Sequence, residues 1–204
     1  MSEHHHDHDH EHDHGHAHGD GAEPDEEALR EAEAEACKQL ALAQIRQYGD
    51  PALRLTAHEV EDVDDDVRRL IDRMTLLMKD AEGVGLAATQ VGVLRRLFVF
   101  VDGEEGPRAV VNPVIVERAD DTEPDEEGCL SLQGVRVPVE RSVRVVLEGL
   151  DANGEPVHHE LEGYTARVVQ HELDHLDGVL IIDRTDDEHR KEALRILRPR
   201  VVLR

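Results

Sequence analysis

The clearest periodic pattern along the chain is Val67, Leu70, Ile71, Met74, Leu77 and Met78, whose three- and four-residue spacing predicts an amphipathic helix. Asp64 to Asp66 supply a cap and negative charge at its start, and Gly83 ends it. Further on, residues 95–101 and 109–118, rich in Val and Phe and broken by Gly and Pro, read as strands, as do the alternating stretches 135–139 and 143–150 and, after a hairpin turn at Asp151-Ala152-Asn153-Gly154, residues 157–161. His158 and His159 fall on that hairpin as surface residues. Residues 120–127 are so acidic that they read as a loop, and 179–182 as a short buried strand. An Ala/Glu-rich helix is expected over 25–47, packing through Leu40, Leu42 and Ile45, and a last amphipathic helix over 188–197, limited by Pro199. Turn chemistry at Tyr48-Gly49-Asp50-Pro51 marks the start of the folded domain.

These elements divide the chain into a His/Asp-rich leader (1–21), an acidic helical extension (22–44), a folded domain (45–187) and a basic helix and tail (188–204). Nine of the fifteen histidines lie in the leader, where apolar residues are too few to offset ordering entropy, so disorder is expected there. Such a tract either chelates divalent metals loosely or serves as an inert solubilising tail. The net charge of −24 is uneven: residues 1–36 carry thirteen acidic groups against one Arg. The more moderate acidity of the rest argues against broad nucleic-acid or anionic-membrane binding by the body. With no run of eighteen apolar residues and no secretory pattern at the start, the expected compartment is the cytoplasm. Two distant cysteines, Cys37 and Cys129, make no disulfide framework, and Cys37 reads as a bystander.

Gln170-His171-Glu172-Leu173-Asp174-His175 is where the chemistry concentrates. If the residues leading into it are helical, His171 and His175 stand one turn apart and reach one divalent metal, with Glu172 beside them to take a proton from water. A catalytic site wants a third protein ligand, and the motif does not supply it. Two other segments stand out: Gly83-Val84-Gly85-Leu86-Ala87-Ala88-Thr89-Gln90, small residues ahead of a strand, and Glu127-Gly128-Cys129-Leu130-Ser131. Closely spaced glycines let a backbone approach a ligand. Gln90 either satisfies a buried backbone group or addresses a substrate.

In order and spacing, over roughly residues 45–185, these three segments resemble the signature motifs of the peptide deformylases. The resemblance implies an α+β domain in which antiparallel sheets surround a central helix bearing the motif. It implies a hydrolase that removes the formyl group from the N-terminal formyl-methionine of newly synthesised proteins, releasing formate. Cys129, His171 and His175 become the ligands of one divalent metal, physiologically Fe²⁺, with Zn²⁺, Ni²⁺ or Co²⁺ as substitutes. Water held by that metal attacks the formyl carbon, Glu172 is the general base and acid, and Gln90 and the Leu130 N–H stabilise the oxyanion. Val84, Gly85, Leu86 and Val168 are implied to bind the methionine side chain and the adjacent backbone. Gln133 stands where many relatives have proline, and the leader has no counterpart in the family pattern.

Two alternatives stay open in the sequence. A zinc endopeptidase of the same His-Glu-x-x-His type would draw its third ligand from Glu188, His189 or Glu192 and leave Cys129 idle. A metal-handling protein would use the leader. Expected partners are formyl-methionyl nascent peptides and, through the basic residues 184–204, the ribosome near its exit tunnel. No membrane is expected, and the chain is expected to act as a monomer.

Overall fold

The computed structural model describes residues 26–198; the leader therefore lies outside the described residues, as do residues 22–25 of the extension and the last six residues of the tail. Helix α1 (Glu26–Leu42) is followed by a single 3-10 turn, Pro51–Arg54, capped by the Asp50 side chain. Helix α2 (Asp65–Asp80) begins at Asp64, whose carboxylate accepts from the Val67 N–H at 2.9 Å. Strands β1 (Gly85–Ala87), β2 (Leu97–Val101), β3 (Pro107–Arg118), β6 (Arg144–Leu150) and β7 (Pro156–Glu162) form one antiparallel sheet in the order β1-β2-β3-β6-β7. Between β3 and β6 in the chain, β4 (Thr122–Gly128) and β5 (Arg136–Ser142) make a separate two-stranded sheet. Helix α3 (Gly163–Leu176) carries the His-Glu-x-x-His motif, and α4 (Asp187–Leu197) closes the described chain.

Strands β1 and β2 are buried on both faces, which explains the unbroken apolar run Leu97-Phe98-Val99-Phe100 in β2. Leu97 and Val99 point towards α2 and pack with Ile71, Met74, Leu77 and Met78. Phe98 and Phe100 point the other way and pack with Val169, Leu173 and Leu176 of α3. The far side of α3 meets the two-stranded sheet, whose Val137 and Val139 join Leu132, Leu180, Ile182 and Ala193 in a third cluster. Antiparallel sheets thus surround the motif helix, as the resemblance implies. Residues linking the first two helices to the sheet are held by Asn112, which takes up a left-handed φ of 50° and pairs with both the N–H and the carbonyl of Val60.

Several expectations are corrected. Residues 122–128 are not a loop but β4: the poor strand propensity of Asp, Glu and Pro is overridden by a seven-residue ladder with β5. Residues 179–182 are not a strand. Leu180 to Ile182 are buried, but they enter a 3-10 turn (Ile181–Asp183) in which the Asp183 carboxylate accepts from the Leu180 N–H; a short apolar run does not by itself distinguish the two. Helix α1 stops at Leu42, so Ile45 is buried beyond it rather than on it, and Leu40 faces solvent at 68% exposure. Helix α2 ends before Gly83, at Asp80 with Ala81 as its C-cap, and Glu82 takes the left-handed conformation after it. His159 is half-buried, its ring edge-on to Phe100.

Candidate metal centre

Three segments build the site. Helix α3 presents His171 and His175 from one face, their ring centroids 4.9 Å apart. The turn after β4 brings in Cys129, whose Sγ lies 3.2 Å from His175 Nε2. One donor atom from each of Cys129, His171 and His175 lies within 4.8 Å of the others, the one such group among the described residues. The third segment, β1 and the 3-10 turn Ala88–Val91, delivers Gln90, buried beside the thiol. Its Oε1 accepts from the Ala87 N–H at 2.8 Å, while Nε2 donates to Ser131 Oγ at 3.1 Å and lies 3.7 Å from Cys129 Sγ. Both readings of Gln90 meet in one side chain: its oxygen satisfies a buried backbone group, and its amide nitrogen faces the centre.

Glu172 is 3% exposed and lies against Gly85, where a Cβ would meet its Oε1 at 2.3 Å. A glycine at 85 is therefore needed for space rather than for backbone freedom. Glu172 Oε2 is buried and has no hydrogen-bond partner among the described residues. Burial accordingly pushes its carboxyl up to about 7. Burial also draws the His171 imidazole down, but hydrogen bonds to Cys129 and Glu127 outweigh it and raise it well above its ordinary value. His175, desolvated and next to His171, is held well below.

Glu127, Arg141, Arg167 and Asp174 were given no role by the sequence reading, yet they hold the site in place. Glu127 Oε2 accepts from His171 Nδ1 at 3.0 Å, which leaves Nε2 of that ring for a metal. The same carboxylate receives Arg141 through two nitrogens, at 2.9 and 3.0 Å, and Arg167 at 2.9 Å. Burial would raise it, but His171 and Arg141 bring it down to about 2. Arg141 also reaches Asp174 at 2.5 Å, and Arg184 grips Asp174 at 2.6 and 3.1 Å. Arg167 ties down two strands as well, donating to the carbonyls of Val139 and Glu123. A sequence signal for Arg141 exists: it continues the inward register of Val137 and Val139. Arg167 and Asp174 stand one turn before and after His171 on the helix.

The donor set fits a divalent ion. Two neutral imidazoles and a thiolate suit Zn²⁺, Fe²⁺, Ni²⁺ or Co²⁺, and the 3.2 Å between sulfur and nitrogen is close to the ~3.5 Å separating two ligands of one tetrahedral ion. The cluster opens onto a cleft of about 800 Å³ bounded by Gly83, Val84, Gly85, residues 125–130 and Val168. Leu86, by contrast, is fully buried in the α2 core, and its side chain is not part of the cleft wall. Glu188, His189 and Glu192 are exposed on α4, with His189 paired to Asp186 and Glu192 to Arg195, so the endopeptidase ligand set is not assembled.

A family model described as polypeptide deformylase matches residues 42–191. The peptide deformylase of Thermotoga sp. (strain RQ2) is 52% identical over 140 residues, covering 69% of this chain and 85% of that protein. That of Acidothermus cellulolyticus is 48% identical over 160 residues, 78% of this chain and 87% of the relative. The crystal structure of peptide deformylase from Thermotoga maritima superimposes with a TM-score of 0.67 at 51% identity, covering 70% of this chain and 96% of that one.

Proposed function

This chain belongs to the polypeptide deformylase family and removes the formyl group from the N-terminal formyl-methionine of newly synthesised proteins, and from that premise we propose the roles its residues take. The observation that carries the reading is the convergence of Cys129, His171 and His175 beside Glu172 at the floor of the cleft. A divalent ion held by those three residues supplies Lewis-acid chemistry, lowering the pKa of water and polarising the formyl carbonyl. Ferrous iron is the ion proposed, with zinc, nickel and cobalt as substitutes that the same N₂S set accommodates.

Glu172 is the proton carrier. With its carboxyl near 7 it accepts a proton from the attacking water and gives one to the leaving amine at neutral pH. The C–N bond of the formyl amide breaks, and formate and a peptide beginning with methionine are released. As the tetrahedral carbon forms, Gln90 Nε2 and the Leu130 N–H donate to its oxygen; losing one such donor typically costs about 10²–10³ in rate. Ser131 and Ala87 hold the Gln90 amide in the required orientation. Strand β1 pairs with β2 along one edge only, so its other edge is open to an extended peptide, with Val84 and Val168 beside the methionine side chain and Leu86 contributing backbone.

No helix among the described residues is long and apolar enough to cross a membrane. We place the enzyme in the cytoplasm as a monomer that docks on the ribosome through the basic residues of the segment 184–204, which includes α4. Because Ala193 of that helix is buried against the body, charge reversal at Lys191 and Arg195 tests docking better than truncation: reduced co-sedimentation with ribosomes supports it, and unchanged co-sedimentation counts against it.

The catalytic assignment is tested by purifying the protein without oxygen, measuring bound metal and following formate release from a formyl-methionyl peptide. Glu172→Ala is expected to keep the metal and lose about 10²–10⁴ in kcat. A variant that hydrolyses at more than a tenth of the parent rate would remove Glu172 from the mechanism.

A further inference from the structure

Helix α1 lies almost entirely before residue 42, where the family match begins, yet its last turns form part of the catalytic cleft. Lys38 and Leu42 line the cleft beside Ala81, Glu82 and Gly83. Lys38 Nζ reaches Glu82 Oε2 at 2.5 Å, and this pair links α1 to the residues entering β1. Glu82 is no ordinary surface carboxylate: it occupies a left-handed turn, φ 55°, in the four-residue step from α2 to β1. Resting on the reading of β1 as the edge a peptide pairs with, the position of this pair relative to the reacting end can be worked out. Gly85 abuts Glu172, so the formyl end of the substrate sits there. A peptide leaving that point passes Val84 and Gly83 and reaches the Lys38–Glu82 pair within about three residues, roughly 10 Å at strand spacing.

We propose that the C-terminal part of α1 is a specificity element of this enzyme, with Lys38 and Leu42 contacting the second and third residues that follow the methionine of an incoming peptide. Lys38 is the specificity-determining residue. An ammonium has three donors and Glu82 takes one, so the group can meet a further acceptor without giving up its partner. The surrounding charges give it added weight. Glu82, Asp125 and Glu126 also line the cleft and are exposed, and Arg136 is the other exposed cation that lines it. Reversing the charge at 38 turns a mixed rim into a predominantly acidic one. The side chain at the second or third position then feels the opposite field, while the formyl group and methionine remain outside its reach.

The test uses the full chain, metal-loaded, and three substrates: formyl-methionine amide, formyl-Met-Ala-Glu-Ser and formyl-Met-Ala-Lys-Ser. The readout is the ratio of kcat/KM for the glutamyl and lysyl peptides, each referred to the short amide. In Lys38→Glu that ratio is expected to fall by about five- to ten-fold, through KM rather than kcat, as charge reversal at a solvent-exposed pair allows. Lys38→Arg retains the parent ratio and Lys38→Gln lies between, so the inference does not depend on one variant folding well. A ratio within two-fold of the parent in both the Glu and Gln variants overturns it. So does an equal change for the short amide and the long peptides, which would mark α1 as purely structural. Failure of all variants and the parent on the short amide would instead strike the deformylase reading itself.

Discussion

The two sheets of this protein are stabilised in opposite ways. The five-stranded sheet and α2 form an apolar body in which side chains such as Met74, Leu97 and Phe98 are fully buried and fix position by shape alone. The two-stranded sheet meets α3 through charge: Glu127, Arg141, Arg167 and Asp174 are all within 8% of full burial. An apolar interface tolerates small shifts, whereas a carboxylate held by His171, Arg141 and Arg167 at 2.9–3.0 Å sets the direction of an imidazole ring. The body supplies stability, and the charged interface supplies the aim of the metal ligands.

Breaking that contrast takes one substitution on each side. Arg141→Met leaves two buried carboxylates without their shared cation and is expected to cost about 3–5 kcal/mol. Met74→Ala opens a cavity and is expected to cost about 2–5 kcal/mol. In urea titrations the two resemble each other, but zinc affinity of the folded protein separates them: it falls in Arg141→Met and holds in Met74→Ala. Equal loss of affinity in both would erase the distinction between the two regions.

A smaller effect is expected at Glu172, whose buried Oε2 has no hydrogen-bond partner among the described residues. Its carboxyl moves from the ordinary 4.5 in the unfolded chain to about 7 in the folded one. The folded state therefore holds the extra proton between those values, and stability falls as pH rises through that window; above it the full cost stands. Glu172→Gln removes the cost, so the metal-free variant should exceed the metal-free parent in stability by up to about 3 kcal/mol at pH 8, with the gain fading towards pH 4.5. A difference that does not change between pH 5 and pH 8 would show that the carboxyl is not raised.

What could be read from the sequence follows the same division. The body was legible because burial leaves a period: 3.6 along α2, two along β6 and β7. The ligands were legible because metal chemistry narrows residue type and spacing, and the resemblance added Cys129 to the two histidines. Strand β4 was not legible, since Thr122 to Glu127 carry the composition of a solvated loop and only the partner strand shows otherwise. Nor were the roles of Glu127, Arg141, Arg167 and Asp174, because a charge that will be buried looks like any surface charge until its partners, 10 to 44 positions away, are brought to it. Leu86 is the reverse case: a residue assigned to the substrate pocket through its motif whose side chain belongs to the core.

The central claim is that residues from two distant segments, one sulfur and two imidazole nitrogens, bind a single ion. X-ray absorption at the zinc edge of the fully loaded protein measures this directly. The account predicts a shell containing one sulfur at about 2.3 Å and two nitrogens at about 2.0–2.1 Å, with the sulfur lost in Cys129→Ala. A shell of nitrogen and oxygen alone, unchanged by that substitution, would contradict it.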